Sequence, residues 1–153
     1  MQALNLPPYE IKTRMREDGH TEIFDFLRNR YVALTPEEWV RQHFTHYLTD
    51  HLHYPKALLA NEVSLCVNGN TRRCDSVLYD KNGGIPRLIV EYKAPDVAIT
   101  QHVFNQISSY NSVLQADYLI VTNGLNHYCL HIDYKNHTAT YLPGIPDYSS
   151  LFS

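Results

Sequence analysis

The sequence predicts an α/β domain with an α+β mixed sheet: helix, three-strand antiparallel meander, helix and parallel strand, with extra C-terminal strands. Three observations predict it. Thr35-Pro36-Glu37-Glu38 is a helix start. Two Asn-Gly turns, at Asn68-Gly69 and Asn82-Gly83-Gly84, separate three strand-like runs. A helical pattern over residues 100–115 then leads to a second apolar strand over 116–121, and a helical crossover of this kind makes the strand it reaches parallel to the one it left.

In chain order, residues 1–8 read as a loose lead-in. Residues 9–15 and 22–26 flank Glu17-Asp18-Gly19, and Asp-Gly between alternating segments predicts a hairpin. At Thr35 the signals are those of a capping box: threonine at the cap, proline at the first helical position, glutamate three residues after the cap. The helix is expected to run to about residue 53, burying Trp39, Val40, Phe44, Tyr47, Leu48 and Leu52 on one side, with Pro55 beyond it. Strands follow over about 61–67 and 72–79. The third strand carries Arg87-Leu88-Ile89-Val90-Glu91-Tyr92-Lys93, and Ala94-Pro95 breaks it. The second helix presents Val103, Ile107, Tyr110 and Leu114, with Phe104 beside them. After Asn123-Gly124, strands over 127–133 and 138–141 complete the chain, and 143–153 reads as a tail. The organisation is one domain: an N-terminal extension over 1–34, a core over 35–142 and the tail.

The 153 residues suffice for one core and not for two. Hydrophobic content of 44% with 19% charged residues excludes a disordered chain. A net charge of −3 is unlike an autonomous nucleic-acid binder, whose affinity comes from neutralising phosphates. Any DNA binding must then be weak, lean on a metal and a local basic edge, or be delivered by a partner. Three cysteines, Cys66, Cys74 and Cys129, form no C-x-x-C pair and no disulfide framework. They fit a reducing compartment, and with no signal core or membrane-length apolar run the expected location is the cytoplasm.

The chemistry concentrates between Asp75 and Tyr110. Strand alternation puts Ile89, Glu91 and Lys93 on one face, with Val90 and Tyr92 on the other. Ionisable groups ending an apolar strand are costly unless they are used. With Asp75 on the preceding strand they form an Asp…Glu-x-Lys set, which suits metal-assisted phosphodiester hydrolysis. Two carboxylates can ligate Mg²⁺, a hard cation that prefers oxygen; the metal activates water, and a lysine can orient that water or stabilise the growing charge. The bland alternatives are an Asp75–arginine surface pair and an exposed strand-end lysine; the three residues together favour a site. Arg72 and Arg73 suit either a phosphate contact or a charge pair with Asp75 or Asp80. His127, Cys129 and His131 share a strand face, but no fourth ligand is near and the spacing differs from known zinc sites.

Asp75, Glu91-Tyr92-Lys93 and Gln106-x-x-x-Tyr110 resemble the PD-(D/E)XK nuclease superfamily with its Q-x-x-x-Y extension. More narrowly, residues 32–128 resemble the nuclease domain at the N-terminus of type I restriction enzyme motor (R) subunits. The resemblance implies a restriction-endonuclease-like core and Mg²⁺-dependent DNA cleavage, with Mn²⁺ as a substitute. It implies metal ligation by Asp75 and Glu91, completed by the Tyr92 carbonyl, with Lys93 assisting water and Gln106 and Tyr110 positioning phosphate or lysine. An additional acidic residue is expected, Glu62 or alternatively Glu38, although Glu38 already has a capping role. DNA is the implied substrate, and methyltransferase and specificity subunits the implied partners. Two departures stand out. Cys74 occupies the position of the superfamily's proline, and these residues contain no G-x-x-x-x-G-K-[ST] loop for an ATP-driven motor. The competing readings are a non-catalytic nuclease-fold module that binds DNA or a restriction-system partner, and a zinc-stabilised interaction domain.

Overall fold

The computed structural model describes residues 1–67, 69–82 and 84–152, without side chains at 67, 70, 72, 109, 110, 112 and 113. Asn68 and Gly83, each part of a predicted turn, lie outside the described residues.

A small antiparallel sheet comes first: β1 (Thr13–Met15), β2 (Thr21–Asp25) and β3 (Arg30–Ala33), in that order. The predicted hairpin is its first two strands; β3 had no separate turn signal. Helix α1 (Pro36–Asp50) follows, and Thr35 Oγ1 accepts from the Glu38 N–H at 3.0 Å. Only this half of the capping box forms, because the Glu38 carboxylate turns inward to other donors. The helix stops at Asp50, short of the expected end, and His53 adopts a left-handed conformation with φ 63° before Pro55.

The main sheet has the order β4 (Leu59–Val67), β5 (Asn70–Tyr79), β6 (Pro86–Tyr92), β7 (Tyr118–Thr122), β8 (His127–Asp133), β9 (Thr138–Tyr141). Strands β4, β5 and β6 are the antiparallel meander, and helix α2 (Gln101–Leu114) carries the chain to β7, parallel to β6. The expected fold class is thus the observed one: a mixed α+β arrangement of two sheets and two helices. Strand β7 is buried at all five positions, as a central strand covered on both faces must be.

Each face of the sheet has its own apolar cluster. On one side Val40, Phe44 and Leu48 of α1 meet Leu78, Leu88, Val90, Tyr92 and Ile120. On the other, Val103, Phe104 and Ile107 of α2 meet Val77, Ile89, Leu119 and Val121. Burying a side chain of this size contributes roughly 1.5–3 kcal/mol, so both helices are clamped to the sheet and fix the strand ends between them.

The two chain ends are packed rather than loose. Leu4 and Leu6 lie against the α1-side cluster, and the Asn5 N–H donates to Gly124 O at 2.8 Å. Gly124 has φ 85°, and an added Cβ would stand 2.7 Å from Leu4 Cδ2. The segment read as a tail ends in a short 3-10 helix, Tyr148–Phe152, with Leu151 buried. Its backbone is tied on by Tyr148 N–H to Leu52 O at 2.9 Å, and Tyr118 OH donates to Leu151 O at 3.1 Å. No helix among the described residues is long and apolar enough to cross a membrane.

Candidate active site

From Leu78 opposite Leu88 the β5–β6 ladder stays in register to Ser76 opposite Val90, and one step further stand Asp75 and Glu91. There the ladder gives way to a side-chain bond: the Tyr92 N–H donates to Asp75 Oδ2 at 2.9 Å. The Asp75 and Glu91 carboxyl groups are themselves hydrogen-bonded. Lys93 Nζ lies 3.4 Å from Glu91 Oε1, and the Lys93 N–H donates to Thr122 O at 2.9 Å, which fixes this residue against β7. All three side chains are half-buried, between 21% and 28% exposed, so they are held by the fold yet reachable from solvent.

Glu62, one strand further out, is the next acidic residue in the row. Its φ is 55°, a conformation rare for a non-glycine residue. The side-chain parity of both strands inverts here. Asn61 and Ser76 point toward α1 and bond each other, Ser76 Oγ donating to Asn61 Oδ1 at 2.5 Å. Yet Val63 and Cys74, two residues away on each strand, join the cluster under α2. Unbroken alternation would put Asp75, Arg73 and Val77 on one face; because Cys74 and Val77 both join the cluster under α2, Arg73 and Val77 lie on opposite faces.

Arg41 of α1, unremarked in the sequence, is what meets this kink. Its guanidinium bonds Glu62 Oε1 through Nη2 and Glu38 Oε1 through Nη1 at 2.7 Å. The same Nη2 stands 3.6 Å from Asp75 Oδ1, and the group lies over the Tyr92 ring at 5.5 Å. Arg73 Nε takes the other Glu62 oxygen at 3.0 Å. Arg73 therefore pairs with Glu62, not with Asp75 or Asp80, while Asp80 faces Arg87 at 3.5 Å. The structure brings Glu62 beside Asp75 but commits its carboxylate to two arginines. Glu38 is buried elsewhere, accepting from Arg28, Arg41 and Gln42.

Electrostatics follow from this geometry. Burial, then the nearby Asp75 charge, pushes the Glu91 carboxyl up to about 7, against the pull of Lys93. Asp75 is raised as well, chiefly by burial, although the Tyr92 N–H and Arg41 favour its charged form. Two carboxyls that are each hard to ionise beside the other are a proton-sharing pair.

Such a pair fits a divalent cation, which replaces the shared proton and relieves the repulsion. Among the described residues no group of three or more His, Cys, Asp or Glu side chains is placed to hold an ion. Mg²⁺ does not need one, since it is commonly bound through one or two carboxylates and keeps several waters. Asp75 and Glu91 would hold the ion, with the Tyr92 carbonyl as third ligand.

Gln106 is on an exposed position of α2. Tyr110 belongs to α2, but its side chain lies outside the described residues, as does that of Arg72. In the His127-x-Cys129-x-His131 stretch, His127 Nδ1 is 2.6 Å from Thr122 Oγ1 and Nε2 is 2.9 Å from Asn5 O. Cys129 is buried under the α1 side, and the His131 ring stacks on Tyr118 at 4.7 Å.

Residues 36–146 match the family described as "Type I restriction enzyme R protein N terminus". The chain belongs to that family. A solved structure agrees in fold: a fragment of a putative HsdR subunit of a type I restriction enzyme from Vibrio vulnificus YJ016 superposes with a TM-score of 0.57 at 20% identity. The alignment covers 78% of this chain and 25% of that one, so the chain spans about a quarter of that structure's length. No curated protein matches the chain. As a type I restriction R-protein N-terminal domain it carries the nuclease-like fold of the family, and the three-stranded sheet β1–β3 precedes the matched region.

Proposed function

We propose that this domain is a Mg²⁺-dependent endodeoxyribonuclease of the PD-(D/E)XK type that hydrolyses DNA phosphodiesters. The observation that carries the reading is the cluster of Asp75, Glu91 and Lys93 at one end of β5 and β6, with Glu91 protonated up to about pH 7 when no ion is bound. A bound ion would supply a water of lowered pKa and positive charge opposite the phosphate. Asp75 and Glu91 would hold the ion through their carboxylate oxygens, Glu91 in its deprotonated form. Lys93, fixed by its own N–H to Thr122, presents its ammonium beside Glu91, where it orients the attacking water or meets charge growing on phosphate oxygens. Water attacks phosphorus, the bond to the 3′-oxygen breaks, and the products are a 3′-hydroxyl and a 5′-phosphate. Gln106 and Tyr110, one turn apart on α2, position the phosphate or Lys93.

DNA is the substrate, and the remaining subunits of a restriction system, those for methylation and sequence recognition, are the partners that deliver it. The cytoplasm is the compartment where that system and its three free thiols belong. A second reading, a non-catalytic nuclease-fold module for docking, is favoured by one observation. The net charge is −3, and Arg28, Arg41, Arg73 and Arg87 are all engaged in internal ion pairs.

Supercoiled plasmid incubated with the protein and Mg²⁺ or Mn²⁺ separates the two. Metal-dependent nicking by the wild type, absent from Lys93→Ala and Asp75→Ala, supports the enzyme. No nicking and no metal uptake by any of the three supports the docking module.

A further inference from the structure

Glu62, Asp75 and Glu91 place three carboxyl groups along neighbouring strands, and such a row needs a counter-charge to stay in order. Lys93 serves the Glu91 end. On the Asp75 side the cation nearest at hand is Arg41, 5% exposed, with its guanidinium between Glu62 and Asp75.

We propose that Arg41 is a positioning residue: it neutralises Glu62 and steers Asp75 into the hydrogen bond with the Tyr92 N–H that aims its carboxylate at Glu91. The guanidinium is not free to drift. Glu38 grips its other nitrogen at 2.7 Å and the Tyr92 ring lies beneath it. Glu38 is itself gripped by Gln42 at 2.9 Å and by Arg28 at 2.8 Å. Arg28 comes from the turn between β2 and β3 and is anchored on Asp25, whose carboxylate is fully buried. Asp25 also accepts from Asn61 Nδ2 at 2.9 Å, and Asn61 continues through Ser76 to the Tyr92 hydroxyl, which donates to Ser76 Oγ at 2.9 Å. Two polar chains therefore run from the small N-terminal sheet, which precedes the region shared with the family, to Arg41 and to Tyr92, the two residues that meet Asp75.

Its consequence for cutting rests on the function proposed above; the positioning itself does not, so the test reads the metal-free protein. Amide hydrogen exchange is followed by NMR for Tyr92, with Ile120 in the middle of β7 as the reference for overall integrity, in wild type, Arg41→Gln and Arg41→Gln/Glu62→Gln. With Arg41 gone, Glu62 repels Asp75, and the Tyr92 amide should exchange about tenfold faster while Ile120 holds. Removing the Glu62 charge as well should bring Tyr92 back to within about threefold of wild type. A structural role alone predicts a different pattern: Tyr92 and Ile120 lose protection together, or the double variant is worse than the single. Either result, or a Tyr92 amide unmoved in Arg41→Gln, overturns the proposal. The same three proteins are assayed for Mn²⁺ binding and plasmid nicking. The expected exchange pattern in a wild type that neither binds nor nicks supports the positioning and overturns the enzyme.

Discussion

The Tyr92 N–H donates to Asp75 Oδ2 at 2.9 Å, so a strand amide that would otherwise continue the ladder holds a carboxylate instead. The same residue that would offer its carbonyl to an ion orients, through its amide, the ion's first ligand. Replacing Asp75 tests this double use. Asp75→Asn keeps an acceptor for the amide, whereas Asp75→Ala strands it. The alanine variant should be less stable than the asparagine one by about 1–3 kcal/mol, as measured by urea unfolding in the presence of a chelator. Both should lose metal-dependent cleavage.

The Glu91 carboxyl gives the metal-free protein a characteristic pH dependence. Its folded value, pushed up to about 7, lies above the 4.5 of the unfolded chain. The folded state thus holds a proton that the unfolded state has already lost, and the stability this contributes is fully present below 4.5 and gone as pH rises through about 7. The loss should amount to no more than about 3 kcal/mol. Unfolding curves with chelator at pH 5 and pH 8 measure it. Glu91→Gln should flatten the dependence, and added Mg²⁺ should restore stability at pH 8 but much less at pH 5.

Tyr92→Phe separates the backbone of this residue from its ring. The hydroxyl donates to Ser76 Oγ inside the sheet, and its loss should cost about 1 kcal/mol in thermal or urea unfolding. Cleavage by the folded variant should stay within about threefold of wild type, because the carbonyl and the amide remain.

Thr35→Ala removes the acceptor of the Glu38 N–H and should destabilise the protein by about 1 kcal/mol. Since Glu38 is the anchor of Arg41, a loosened first turn of α1 should also speed exchange of the Tyr92 amide.

Local chemistry made much of this architecture readable. The Thr35 cap, the second helix, the strand holding Glu91 and the crossover to β7 all announce themselves through short-range signals, and strands β8 and β9 fall at their expected positions. The Asp75, Glu91 and Lys93 side chains come together because strand register brings the ends of β5 and β6 side by side. What was not readable is tertiary. Arg41 looks like any polar helix residue until α1 is laid across Tyr92. The inversion at Glu62 comes from a left-handed glutamate with no glycine to signal it. Leu4, Leu6 and Leu151 sit in short irregular segments without periodicity, so only the core they cover reveals them.

The central claim is that Asp75 and Glu91 together bind one divalent ion. Calorimetric titration of Mn²⁺ into the metal-free protein, repeated in buffers of different ionisation enthalpy, counts the protons released on binding. One site is expected, with close to one proton released per ion at pH 6 and few at pH 8, and binding weakened at least about tenfold in Asp75→Asn and Glu91→Gln. Absence of binding, or binding with the same affinity and proton count in both variants, would contradict it.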